Sequence, residues 1–345
     1  MNYQQVKING GVKSFKVHEN GDFILTNDGL FFQEKKINER VETFSLSNER
    51  LIFVKGDATF LFKKRGAEFI EETQINKTII YQSASKNDAV FTSELNLDDF
   101  TLRYEIVEFD TRNTVFEFGR LPISEGIYRN DNTIFLHLEN QLTCFKLYNQ
   151  KSAWELKLEN ITKVEKVINV YHNQLLIACS DHFLLSIDIN TGEILRKWQE
   201  LAGFEAGQFY KDVLPNPSSF VLDEKEGKLI GTFDIYYFEI DLTSGEVSYE
   251  DIRQELNTHH INSFRRMGNN PFTTDHLFVT AHAELEERPN ADLDCVLALN
   301  RNTKKIDWVH IFKDTGLGTN VPQITSTHLY QLDTEKNLFI FERVS

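Results

Sequence analysis

The 345-residue chain has little of what marks several large protein classes. Its three cysteines, Cys144, Cys179 and Cys295, are odd in number and lack CxxC spacing, so neither a disulfide framework nor a zinc ribbon is expected. Six prolines and no low-complexity run argue against a disordered tail. No long apolar run reads as a membrane span. The opening residues, MNYQQVKINGGVKSFKV, place no apolar stretch behind a basic one, so no secretory signal is read and a cytoplasmic location is expected. The histidines show neither HxH nor HExxH spacing. Gly316-Leu317-Gly318 lacks the helix and the Lys-Ser/Thr of a phosphate loop and reads as a turn. No catalytic residue stands out, and neither a cofactor nor a metal is expected.

Positive charge is also short: 37 Lys and Arg stand against 52 Asp and Glu, a net charge of −15. Such a surface repels phosphate backbones and anionic bilayers, so nucleic acid and membrane are excluded as expected partners, whereas a basic protein fits the field.

What the chain does have is aromatic, strand-like sequence, with 28 Phe and 11 Tyr. Runs of this kind recur as pairs split by a short polar turn. The first members are DFILTN from Asp22, LIFVKG from Leu51, AVFTSE from Ala89, TIFLHL from Thr133, LLIACS from Leu175, LIGTFD from Leu229, LFVTAH from Leu277 and HLYQLD from His328. Their partners end on Glu34, Lys63, Glu105, Asn149, Asp188, Asp241, Asn300 and Glu342, giving eight pairs. A third run follows most pairs: VETF from Val41, then EFIEE, TVFEF, AWELKL, EILRKW, EVSYED and KIDWVHIF. The last unit ends after its third strand, and NYQQVKI at the amino terminus is free to supply a fourth. The expected fold is all-β, a single β-propeller domain over 1–345 of four-stranded antiparallel blades, eight in number with seven possible, closed by the N-terminal strand.

Three units carry a finer pattern. In FLLSIDINTGEILRKW, Ile187 and Asp188 precede a Thr191-Gly192 turn; in YYFEIDLTSGEVSYE, Ile240, Asp241, Gly245 and Tyr249 occupy equivalent places. In CVLALNRNTKKIDW the set is Leu299, Asn300, Thr303 and Trp308, with Lys304 in place of glycine. This pattern resembles the repeat of the PQQ-binding-like (quinoprotein alcohol dehydrogenase-like) propellers. The enzymes of that family hold a quinone and Ca²⁺ in a central funnel and are exported. No signal is read at the start, and the sequence has no adjacent cysteines and only three tryptophans, so the resemblance implies a non-enzymatic scaffold.

Candidate functional residues lie in insertions between strands, because loops on a rigid scaffold carry function more often than the scaffold itself. The first insertion is Gln199–Ser218. The second is Ile252–Phe272, containing Thr258-His259-His260 and Arg265-Arg266. The third is the hairpin extension Ala283–Asp294, with Glu284, Glu286, Glu287 and Asp292. The acidic pair Asp98-Asp99 reads as a solvated turn. The expected function is a non-catalytic, partner-binding propeller, with an immunity-type protein that neutralises a basic toxin as one form. Glu284, Glu286, Glu287, Asp292, Arg265 and Arg266 are the candidate partner-binding residues. The alternative is a hydrolase or lyase whose site lies in the funnel, built from residues too far apart in sequence to show a spacing.

Overall fold

A computed structural model describes residues 1–345 except 19–20, 47–49, 57, 66–67, 76–88, 97–100, 109–112, 123–125 and 345. Asp98-Asp99 therefore lies outside the described residues. The chain divides into two compact units, one of Met1–Asn27 with Trp198–Ser345 and one of Asp28–Lys197. Both are built almost wholly from short antiparallel strands in sequence order. Among the described residues no helix is long and apolar enough to cross a membrane.

In the unit Asp28–Lys197, strands Thr43–Leu46, Arg50–Lys55, Ala58–Arg65 and Glu68–Ile75 form one four-stranded meander. Ala89–Asn96, Thr101–Glu108 and Thr114–Pro122 form a three-stranded sheet. Gly126–Asn130, Thr133–Leu138, Gln141–Lys146 and Asn149–Lys157 form the next, before a sheet that opens with Val164–Tyr171, Gln174–Cys179 and Leu184–Asp188. Apolar side chains from neighbouring sheets close one core: Phe135, Leu142 and Cys144 pack with Leu175, Ile177, Cys179 and Leu185, all essentially without solvent contact. Burying a side chain of this size stabilises by roughly 1.5–3 kcal/mol. Trp154 ties the two sheets, its indole Nε1 donating to the Ile189 carbonyl at 3.0 Å.

The unit Met1–Asn27 with Trp198–Ser345 holds sheets of the same kind. Val221–Asp223, Lys228–Phe233, Tyr236–Asp241 and Val247–Asp251 form one, and Ile261–Phe264, His276–Leu285, Arg288–Asn300 and Ile306–Phe312 the next. In the last, Gln323–Ile324, His328–Leu332 and Leu338–Val344 are completed by the N-terminal strand Asn2–Asn9, which pairs antiparallel with the final strand from Asn2 opposite Val344 to Asn9 opposite Leu338. The N-terminal run thus supplies the missing outer strand. Tyr3 packs there against Phe278 and Trp308, and Trp308 Nε1 donates to the Tyr3 carbonyl at 3.0 Å.

Each of the eight sequence pairs falls on consecutive strands, with one correction among the third runs. VETF is not the outer strand of the first pair. Lys35–Asn38 takes that place, and Thr43–Leu46 opens the following sheet opposite Arg50–Lys55. The reversal between Phe32 and Lys35 is made by Gln33 and Glu34, both at positive φ (46° and 69°), a turn built without the glycine or asparagine that marks most such hairpins.

The repeat pattern has a physical reading. Asp188 accepts hydrogen bonds from the backbone amides of Asn190 (2.8 Å) and Thr191 (2.9 Å), and its carbonyl accepts from Gly192. Asp241 does the same for Thr243, Ser244 and Gly245, and Asn300 for Asn302, Thr303 and Lys304. The side chain holds a tight turn whose last residue takes positive φ: 77° at Gly192, 82° at Gly245 and 57° at Lys304. Lys304 bears that conformation while its ammonium lies 4.2 Å from the Tyr237 ring, donates to the Arg301 carbonyl and stands 3.7 Å from Glu239.

Candidate functional site

The three insertions all lie in the unit Met1–Asn27 with Trp198–Ser345. The first folds into its own hairpin, Glu200–Ala206 against Tyr210–Val213, followed by a short 3-10 turn at Pro217–Ser219. Gly207 at the hairpin tip has φ of 62°, and the next apolar residue, Phe209, is 84% exposed. The second contains the helix Arg253–Thr258, whose Leu256 is fully buried. It also contains Ile261–Phe264, which is not loop but the first strand of the following sheet, pairing with Ala281–Ala283. The third is a true hairpin extension: His276–Leu285 and Arg288–Asn300 stay paired out to Leu285 opposite Arg288, leaving Glu286-Glu287 as the turn.

The first two insertions meet around a cleft of ≈520 Å³, whose lining also includes His282, the residue before the third. Its walls are the hairpin tip from Ala206 to Tyr210, the turn Phe233-Asp234 and the segment Ser263–Met267. A backbone bridge joins two walls, the Phe264 amide donating to the Asp234 carbonyl at 2.6 Å.

Arg265 and Arg266 both line this cleft, in different states. Arg265 is largely buried: Nε stands 3.4 Å from Asp294, and an Nη atom donates to the Gly318 carbonyl. Asp294 in turn accepts from the Leu317 amide. Gly316-Leu317-Gly318 is therefore a turn that anchors this arginine. Arg266 is exposed, its guanidinium lying 5.3 Å from the Tyr210 ring and 5.0 Å from the Phe233 ring. Asp234 is half-buried, and burial holds its carboxyl above the usual range against the pull of Arg253 and Arg266.

The acidic candidates lie along the hairpin. Asp292 is 82% exposed and lies 3.0 Å from His282 Nδ1. Glu287 stands 3.7 Å from Lys313 at the turn, with Glu286 exposed beside it. Glu284 is partly buried, and its amide donates to the His260 carbonyl. His259 pairs with Glu255 of the helix at 3.4 Å, and His276 with Asp307 at 2.6 Å. Among the described residues no group of three or more His, Cys, Asp or Glu side chains is arranged to hold a metal ion. All three cysteines are free and buried, and burial pushes their thiols up to about 11 at Cys144 and about 12 at Cys179 and Cys295.

Sequence reasoning missed the aromatic half of the cleft. Tyr210, Phe233 and Asp234 come from segments whose only signal was a strand end or an insertion of no defined shape.

The fold defined by these repeated sheets is that of a β-propeller, and the chain is similar to several solved structures. Sqt1 of Saccharomyces cerevisiae, a WD40 propeller, is 12% identical over 99% of this chain and 98% of its own, with a TM-score of 0.58. The computationally designed Ika8 protein is 10% identical over 97% and 96%, with a TM-score of 0.59. BamB from Moraxella catarrhalis is 9% identical over 99% and 100%, with a TM-score of 0.49. No family model and no curated protein sequence matches the chain.

Proposed function

We propose that the chain is a non-catalytic, protein-binding propeller that docks a basic partner through its inserted hairpins. The observation that carries this reading is that the first two insertions share one cleft and the third contacts the second through Arg265–Asp294 and Glu284–His260. An exposed aromatic, Phe209, stands at one hairpin tip, and exposed acids, Glu286, Glu287 and Asp292, stand along the other. Aromatic anchors of this kind dominate binding energy at interfaces, while rim charges set association rate and choice of partner. The net charge of −15 favours a basic partner, and neutralisation of a basic toxin is the specific form of this reading. Affinity capture from native lysate at low and high salt, with mass spectrometry, tests it. One stoichiometric basic protein, lost at high salt, is the expected result. An empty capture, or a set of proteins indifferent to salt, counts against it.

A further inference from the structure

The cleft lined by the first two insertions holds two charges of opposite sign, Arg266 and Asp234, that attract one another yet make no hydrogen bond or ion pair with any described residue. Arg266 is oriented by Tyr210 and Phe233, yet its guanidinium makes no hydrogen bond or ion pair with any described residue. Stacking of this kind fixes a long side chain and leaves its N–H edge free to meet a planar acceptor. The Asp234 carboxylate also makes no side-chain hydrogen bond or ion pair among the described residues. The other charges around the cleft are engaged: Arg265 with Asp294 and Gly318, His282 with Asp292, and Arg253 with Asp251 at 3.4 Å. Tyr210 and Phe233 line the same cleft, and Phe209, also in its lining, is exposed. The volume of ≈520 Å³ falls in the range of small-molecule sites.

An anion alone would meet Arg266 but face repulsion from Asp234, and a cation alone would meet the reverse. A molecule carrying both groups satisfies each. We propose that this cleft is a binding site for a small zwitterion of the α-amino-acid type with an aromatic or large apolar side chain. The ligand carboxylate meets Arg266, its ammonium meets Asp234, and its side chain packs on Tyr210 and Phe209. Burial raises the proton affinity of Asp234 against the pull of Arg253 and Arg266. The inference does not rest on the partner-binding reading, and the two fail separately.

The probes are L-phenylalanine, 3-phenylpropionate, which lacks the ammonium, and phenethylamine, which lacks the carboxylate, titrated into the whole protein by calorimetry. Phenylalanine is expected to bind at least tenfold more tightly than either analogue. Arg266→Gln and Asp234→Asn are each expected to weaken it tenfold or more. Asparagine tolerates the positive φ of 55° at position 234, so the second change keeps the turn. The proposal is overturned if phenylalanine does not bind, if either analogue binds as tightly, or if either substitution leaves affinity unchanged. The comparison of probes on the wild-type protein decides the matter even where a variant is damaged.

Discussion

At the scale of single residues, the turns after three of the central strand pairs each depend on one acceptor side chain, Asp188, Asp241 or Asn300, and one residue at positive φ. Gly192 supplies the positive φ after Asp188 and has no room for a side chain. A Cβ there would sit 2.8 Å from the Trp154 ring as well as at φ of 77°. Gly192→Ala is therefore expected to cost ~1–3 kcal/mol, read as a lower urea midpoint with unchanged slope. Asp223 and Arg301 form a buried pair at 2.7 Å, with side chains 7% and 6% exposed. Arg301 also donates to the Thr273 carbonyl at 2.9 Å. Asp223→Ala strands the arginine charge and is expected to cost ~3–5 kcal/mol by the same measurement. Replacing both partners with apolar residues should cost less than that single change. Asp188, Asp241 and Asn300 were legible in the sequence because their chemistry is local, a side chain accepting from the amides two and three residues on. Arg266 over Tyr210 and Phe233 was not, because its partners lie on other segments.

At the scale of elements, eight strand pairs were legible because alternation and turn residues are local signals. The outer strand Lys35–Asn38 was hidden by a turn of Gln33 and Glu34, residues with no turn signature. Ile261–Phe264 was hidden because four residues between a helix and a loop are too few to show a period. The N-terminal strand is the element on which the last sheet most depends. Deleting residues 2–9 exposes the edge of Leu338–Val344 and removes the acceptor of Trp308. Truncation is expected to lower the melting temperature and to produce self-associated species on size exclusion, because an uncovered edge strand pairs with other chains. A truncated chain that stays monomeric and equally stable would show the strand to be dispensable.

At the scale of the whole molecule, acid stability has two windows. His137 and His310 are held below the ordinary 6.5 by burial, His310 among Phe312, Phe339 and Phe341. The unfolded chain then binds protons that the folded chain resists, so stability falls as pH drops below 6.5 towards the folded values. Asp188 and Asp241 have carboxyls held below 3.8, chiefly by the amides of Asn190 and Ser244 respectively. Their contribution is present above 3.8 and is lost as pH falls through the lower folded values. Denaturant midpoints measured from pH 8 to pH 3 are expected to fall first in the histidine range and again at the acid end. The His137→Gln, His310→Gln variant should lose the first fall. The proposal of one domain over 1–345 carries its own test, a single calorimetric transition whose calorimetric and van't Hoff enthalpies agree.

The central claim is that the acidic hairpin is where a basic partner is met, and the most direct measurement is the association rate of the captured partner. It is read at low and high salt for the wild-type chain and for Glu286→Lys, Glu287→Lys, Asp292→Lys combined. The reversed chain is expected to fold normally, to associate at least tenfold more slowly at low salt, and to lose most of its salt dependence. An unchanged rate and salt slope in the reversed chain would place the partner elsewhere on the molecule and contradict the claim.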